Sequence, residues 1–229
     1  MFRTKKSELL RPVTWDSETS RSVALNPDAF VGRALELAIV VVAIFLLLPV
    51  MVLLALAIWL QDRGSPVFVQ QRIGRGGETF PCFKFRSMLV DSDRVLMEHL
   101  EAHPHALEEW IADRKLRNDP RVTALGRFLR KSSLDELPPL LNVLLGSMSL
   151  VRPRPIVAEE IYRYGRYFQH YCSMRPGITG LWQVSGRNDV SYRRRVVMDY
   201  VYSRSKSVPL DLIIMTRTVR TVIQRRGCY

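Results

Sequence analysis

Residues 34–60 carry one charged side chain, Glu36, and are otherwise wholly apolar, which is more than a buried helix needs and enough for a bilayer. As one straight helix they would measure roughly 40 Å at about 1.5 Å per residue, against a hydrocarbon core of about 30 Å. Pro49 interrupts the run near its middle and leaves arms of roughly 22 and 16 Å, neither long enough to span. Basic residues are balanced across the segment, with Arg3, Lys5, Lys6, Arg11, Arg21 and Arg33 before it and Arg63, Arg72, Arg75, Lys84 and Arg86 after it. The positive-inside rule therefore names no outer end. A helix that enters, bends at Pro49 and returns to the same face accounts for both facts; a tilted or kinked single crossing is the other geometry that fits. A shorter apolar core followed by a small-residue cleavage site, as in a signal peptide, does not match.

Beyond this segment the pattern changes to short elements. Val67–Ile73 and Thr79–Phe85 are β-rich runs separated by Gly74, Arg75, Gly76 and Gly77, which predicts a hairpin. Those glycines lack the Lys-Ser/Thr of a phosphate-binding loop and read as a turn. Residues 91–117 predict one polar helix, 122–131 a short helix, 140–145 an apolar helical run, and 159–171 a helix rich in tyrosine. Residues 175–180 form a glycine-containing turn, Asp199 falls on a helix after three consecutive arginines, and 210–223 predict a basic amphipathic helix that either lies on anionic lipid or caps the core. The expected class is α+β, mostly helical with a β-hairpin. The domains are a loose tail over 1–29, a membrane helix over 30–60 and a catalytic unit over 61–229 with interfacial helices.

Composition narrows the partners. Thirty-four Lys and Arg against twenty-two Asp and Glu give a net charge of +12, which favours anions such as membrane phospholipids, nucleotides or nucleic acid. Cys82, Cys172 and Cys228 are far apart in sequence with no C-x-x-C pair, so they read as reduced thiols with no zinc site. His99, His103 and His105 have no third metal ligand in pattern and read as a solvated helix face.

The chemistry concentrates in residues 127–155. Asp135 and Glu136 are adjacent carboxylates between the basic groups Arg127, Arg130 and Lys131 and a second pair, Arg152 and Arg154. A phosphate could there meet a nucleophile, a metal ligand and several cations together, and Arg130 is the one expected on phosphate. The competing reading is a capping box, with Ser133 and Glu136 satisfying the free amides ahead of the apolar run. Upstream, Lys84 and Arg86 fall on one face of the second strand, either as edge-strand protection or facing substrate.

The string SLDELPPLLNVLLGSMSLVRPRP over residues 133–155 closely resembles the signature of bacterial sugar transferases. These are membrane-bound phosphoglycosyl transferases that move a sugar 1-phosphate from a nucleotide sugar to polyprenyl phosphate. FKFRSM at 83–88, RPGITGLWQVSGRND at 175–189 and MDYVYSRSKSVPLDL at 198–212 match further blocks in the family's order. The resemblance implies a monotopic protein with a re-entrant helix in the bacterial inner membrane and its catalytic domain on the cytosolic face. It implies Asp135 as nucleophile, with Glu136 and Asp199 joining it around Mg²⁺, and Lys84, Arg86, Arg130, Arg154, Arg175 and Arg187 on substrate phosphates. The implied substrates are undecaprenyl phosphate and a UDP-sugar, UDP-galactose before UDP-glucose because the later blocks look most like galactose-type enzymes of exopolysaccharide synthesis. No nucleic acid is expected as partner, and a homo-oligomer stays open. The chain departs from the family at Arg152, where glycine usually precedes PRP; the change adds a cation next to the expected phosphate site. Two rivals remain. A membrane-tethered binder of nucleic acid or anionic lipid would use the charge but not the acid pair, and a lipid phosphatase would use the same nucleophile.

Overall fold

The computed structural model describes residues 27–113, 116–186 and 189–224. The chain divides into two units, Met1–Leu35 and Glu36–Tyr229. Within the described residues, the first contributes only the opening turns of helix α1 (Pro27–Asp62). Most of the tail expected over 1–29 lies outside the described residues.

Helix α1 stays helical through Pro49, which the sequence pattern had made its break point. Val40, Met51 and Ile58 are buried, with Ala43, Ile44, Leu47, Leu54 and Ala55 half-buried beside them, and this helical stripe packs on two apolar clusters of the second unit. The remaining faces are bare: Phe45 is 76%, Leu46 67% and Leu53 65% exposed. Only 11% of the most apolar window is buried, so this is no core helix of a water-soluble domain, and its length and composition fit membrane association. The helix is tied at two distant points. The Glu36 carboxylate accepts the Leu150 amide at 2.5 Å, and Asp62 pairs with Arg86 through both guanidinium nitrogens at 2.5 and 2.6 Å.

The hairpin forms as expected, strand β1 (Val67–Ile73) pairing antiparallel with β2 (Thr79–Phe85) across a 3₁₀ turn at Arg75–Gly77, where Gly76 and Gly77 both have positive φ. The polar stretch is two helices, α2 (Ser92–Ala102) and α3 (Pro104–Asp113), rather than one. Pro104 causes the break: it holds the preceding His103 extended, at φ −133° and ψ 93°. Helix α4 (Ala124–Ser132) is capped by the Thr123 hydroxyl, which accepts the Gly126 amide. Gly126 lies so close to the hairpin's exit that a Cβ would stand within 1.9 Å of the Ser87 carbonyl oxygen.

Helix α5 (Pro139–Leu144) follows, with Pro139 at its first position. Strand β3 (Ser149–Val151) then pairs in parallel with β4 (Gly177–Thr179), inside the stretch that the sequence marks as a turn. Between them the tyrosine-rich run is not one helix. Two 3₁₀ turns alternate with α6 (Ile161–Tyr164) and α7 (Phe168–Cys172), and the path bends at Gly165, whose φ of 48° and ψ of −128° suit glycine. Helices α8 (Tyr192–Ser205) and α9 (Val208–Gln224) close the described chain. The architecture is α+β, mostly helical with small sheets.

Candidate active site

Three covalently remote pieces of backbone converge on Glu136. Ser133 caps the end of α4 in the left-handed conformation (φ 57°), and Leu134–Glu136 then make a single 3₁₀ turn. The Ser133 side chain makes no capping bond, so the capping box does not form. The Glu136 carboxylate is turned elsewhere. Its Oε1 accepts from Lys84 Nζ at 2.7 Å and from Arg154 Nη2 at 2.8 Å.

Each of these cations is held from behind. Lys84 lies on β2, which is joined to α5 by Asn142; this buried amide accepts the Phe83 N–H at 3.0 Å and donates to the Pro81 carbonyl at 2.7 Å. Arg154 lies after β3, where Arg72 on β1 donates to the Pro155 carbonyl at 3.0 Å and Ile73 N–H bonds the Ile156 carbonyl at 2.8 Å. The Tyr171 hydroxyl completes this join, donating to the Ile73 carbonyl and accepting from the Ile156 amide. Arg72 and Asn142 did not stand out in the sequence pattern. The usable signal for Asn142 was a lone amide inside the apolar run of 140–145, and Arg72 could be found only through the fold.

The electrostatics separate the two carboxyls. Burial works against ionising Glu136, but Arg154 and Lys84 outweigh it and hold the carboxyl well below the usual carboxylate range. Asp135 moves the other way: burial raises it, and the neighbouring Glu136 charge adds to the rise, against Lys84, Arg154 and Arg130. Burial likewise lowers Lys84, with Arg154 acting in the same direction. Two neighbouring acids with divergent proton affinities are a common arrangement where one carboxyl reacts and the other supports it.

Both acids line a cleft of about 1860 Å³, together with Lys84, Arg86, Arg130 and Arg154. Its wall also includes Ala43 and Leu47 of α1, so the acid pair and the apolar helix share one opening. Arg86 faces this cleft, but its guanidinium is paired with Asp62, whereas that of Arg154 is paired with Glu136. Arg130 donates through Nε to the Ser87 hydroxyl at 2.9 Å. Arg175 is not on the cleft wall; it lies just ahead of β4. Arg187 lies outside the described residues.

Arg152 and Asp199 each have partners of their own. Arg152 does not add a cation beside the acid pair, because its Nη1 donates to the Tyr202 hydroxyl at 2.6 Å and to Asp211 at 2.8 Å. Asp199 is 3% exposed and accepts from the Tyr164 hydroxyl at 2.7 Å. Among the described residues no three His, Cys, Asp or Glu side chains gather as a metal-holding group. The two adjacent acids alone still fit Mg²⁺, which commonly takes one or two carboxylates and fills its shell with water and substrate phosphate oxygens.

The bacterial sugar transferase family model matches residues 27–225. The UDP-galactose-lipid carrier transferase of Erwinia amylovora is 46% identical over 92% of the chain, and the undecaprenyl-phosphate galactose phosphotransferase of Salmonella typhimurium 45% identical over 91%. The chain spans 44% of each of these two, less than half their length. The exopolysaccharide production protein ExoY of Sinorhizobium fredii is 46% identical over 86% of the chain and 87% of that relative.

A pH prediction follows from Asp199. Burial lifts its carboxyl from the ordinary 3.8 to about 7. Between those values the unfolded chain releases this proton and the folded one keeps it, so the group costs stability progressively as pH rises from about 4 to about 7. At about 1.4 kcal/mol per pKa unit the full cost is on the order of 4 kcal/mol. Asp199→Asn keeps an acceptor for Tyr164 and is expected to melt above the parent protein at pH 8, with the gap narrowing by pH 5. Melting curves at the two pH values check this, and a pH-independent difference would contradict it.

Proposed function

The chain belongs to the bacterial sugar transferase family, and from that premise we propose that it transfers hexose 1-phosphate from a UDP-sugar to undecaprenyl phosphate, releasing UMP, as the first step of exopolysaccharide synthesis. The observation that carries this reading is the acid pair itself: Asp135 stands beside a Glu136 whose Oε1 accepts from both Lys84 and Arg154, in a cleft that also opens on the apolar helix. A soluble sugar nucleotide and a long-chain lipid phosphate need such a shared opening. UDP-galactose is the proposed donor, in keeping with the names of the relatives from Erwinia and Salmonella.

In the proposed mechanism an Asp135 carboxylate oxygen attacks the phosphorus that bears the sugar. A bond forms between aspartate and phosphorus, the bond from that phosphorus to the bridging oxygen breaks, and UMP leaves with that oxygen. An oxygen of the lipid phosphate then attacks the same phosphorus and releases the Asp135 carboxylate, giving a lipid diphosphate sugar. Lys84 and Arg154 offset the negative charge that gathers on the phosphoryl oxygens, and Arg130 reaches the same cleft as a further clamp. Glu136 is the counter-charge that keeps the two cations in place. Asp135 and Glu136 would hold Mg²⁺, which when bound neutralises diphosphate oxygens and favours the ionised form of Asp135. Asp199 fixes Tyr164 in this account.

Membrane placement is part of the proposal. Glu36 and Asp62 are about 39 Å apart along a straight helix, yet both are bonded to the same compact unit. A helix crossing away from a cytosolic domain would leave one end free of it. Both ends being held by that unit supports the proposed arrangement, in which they lie on one face of the bacterial inner membrane, the cytosolic one, with the helix re-entrant. Cysteines placed before Arg33 and after Gln61 are expected to react with an impermeant thiol reagent only from the cytosolic side; labelling of the first from outside would establish a single crossing.

Activity is tested by UMP release across a panel of UDP-sugars, with undecaprenyl phosphate and Mg²⁺ present. UDP-galactose should give the largest release, lost on adding chelator. Arg154→Ala should lower the rate on the order of a hundredfold or more. Arg152→Ala should act mainly on thermal stability, since its partners are Tyr202 and Asp211. Release of inorganic phosphate instead of UMP would identify a lipid phosphatase.

A further inference from the structure

Arg72 is a charged side chain of the cleft to which the transfer chemistry gives no task of its own. The hairpin register sets Phe68 opposite Lys84, Gln70 opposite Cys82 and Arg72 opposite Phe80, so Gln70, Arg72 and Lys84 stand on one face of the hairpin. It is the face turned to the acid pair, because Lys84 bonds Glu136 from it. Arg72 and Gln70 both line the cleft that holds Asp135 and Glu136, and Arg72 shares a smaller cavity with Lys84, Glu136 and Arg154.

The hydrogen bonds of this half-buried arginine all go to neutral groups. Nη1 donates to the Pro155 carbonyl at 3.0 Å and Nη2 to Gln70 Oε1 at 2.6 Å, and a guanidinium has further N–H groups on both of these nitrogens. Nε is buried and has no acceptor among the described residues. No carboxylate among the described residues forms an ion pair with Arg72. Glu136 Oε1 serves Lys84 and Arg154, and Glu160, also on the cleft wall, accepts the Val157 amide at 3.1 Å. Burial and the neighbouring Arg154 act against the Arg72 charge, with Glu160 and Glu136 opposing them from beyond ion-pair distance. Arginine cannot shed its proton in response, so its charge is one that an anion in the cleft would complete. Gln70 adds a neutral donor beside it, since its amide nitrogen has no partner among the described residues.

We propose that Arg72 is a further substrate-binding residue, whose remaining N–H groups, with the Gln70 amide beside them, take a phosphate oxygen of the substrate that docks next to Arg154. This role presupposes the transferase reading, in which a donor diphosphate and an acceptor lipid phosphate both enter the cleft; the chemistry recognised is the same for either. Lys84 and Arg154 share their charge with Glu136, whereas Arg72 has no carboxylate to share it with.

Binding, rather than turnover, separates a clamp from a strut. Calorimetric titration of the full chain in detergent with UDP and Mg²⁺ forms the donor arm, and native mass spectrometry with undecaprenyl phosphate the acceptor arm. In at least one arm Arg72→Gln should weaken binding about tenfold or more, while Arg72→Lys, which keeps the charge, should stay within about threefold of the parent protein. Gln70→Glu gives Arg72 a counter-ion within the protein; it should melt no lower than the parent yet bind more weakly in the same arm, which tests the site even if Arg72→Gln folds poorly. Loss with UDP assigns Arg72 to the donor, and loss with the lipid phosphate assigns it to the acceptor. Unchanged binding in both arms, or equal losses in Arg72→Gln and Arg72→Lys, overturns the proposal and leaves Arg72 a strut for Pro155. A parent protein that binds neither ligand would overturn the transferase reading itself, and the role of Arg72 with it.

Discussion

One carboxylate oxygen receiving two cations is the constraint on which the site depends. Lys84 arrives on β2, Arg154 on the loop after β3, and Glu136 on a turn between α4 and α5. None of these neighbours could be where it is unless hairpin, turn and loop were already packed. The side chains are one-fifth to one-third exposed, and removing one member would leave an uncompensated charge in a partly dry setting, a matter of several kcal/mol in well-buried cases and less here. The exposed Arg94–Glu98 pair on α2 illustrates the other extreme, where water screens the charges and the contribution to stability is small. The central cluster is therefore both a fold-determining contact and a store of positive charge facing the cleft.

The same cluster explains why adjacent acids are useful. Glu136 takes the strongest interactions and stays ionised, and its charge together with burial makes Asp135 the more basic of the two. A more basic carboxylate is the better nucleophile once substrate and cations complete the site. Tight packing around the pair supports this arrangement. Asn142 joins α5 to β2, and Arg72 and Tyr171 join the Arg154 loop to β1, so motion of either cation would break several hydrogen bonds at once.

Much of this was legible in the pattern of residues, and the exceptions have physical reasons. The hairpin strands emerged at their observed limits because β-rich runs flanked a glycine turn, and α9 emerged close to its limits because apolar positions recur among the arginines of 210–223. The helix over 91–117 failed at Pro104, and the tyrosine run was broken at Gly165, two residues whose backbone preferences outweigh a periodic pattern. Ser133 and Glu136 match a capping box in spacing, but the left-handed Ser133 ends one helix rather than starting another. Adjacent positions in a motif can also serve different elements. Arg152 turns to Asp211 and Arg154 to Glu136, and Arg86 turns to Asp62 while Lys84 meets Glu136. Such choices depend on contacts across more than fifty residues of chain in some cases, which spacing does not encode. Arg72 and Asn142 went unnoticed for the same reason.

The central claim is that Asp135 forms the covalent bond and Glu136 supports it by holding Lys84 and Arg154. Intact-mass measurement of the protein after incubation with UDP-galactose and Mg²⁺, without lipid acceptor, tests this most directly. The account predicts a sugar-phosphate adduct on the parent protein, a reduced amount on Glu136→Gln and none on Asp135→Asn. An adduct on Asp135→Asn that disappears in Glu136→Gln would contradict it and reverse the two roles.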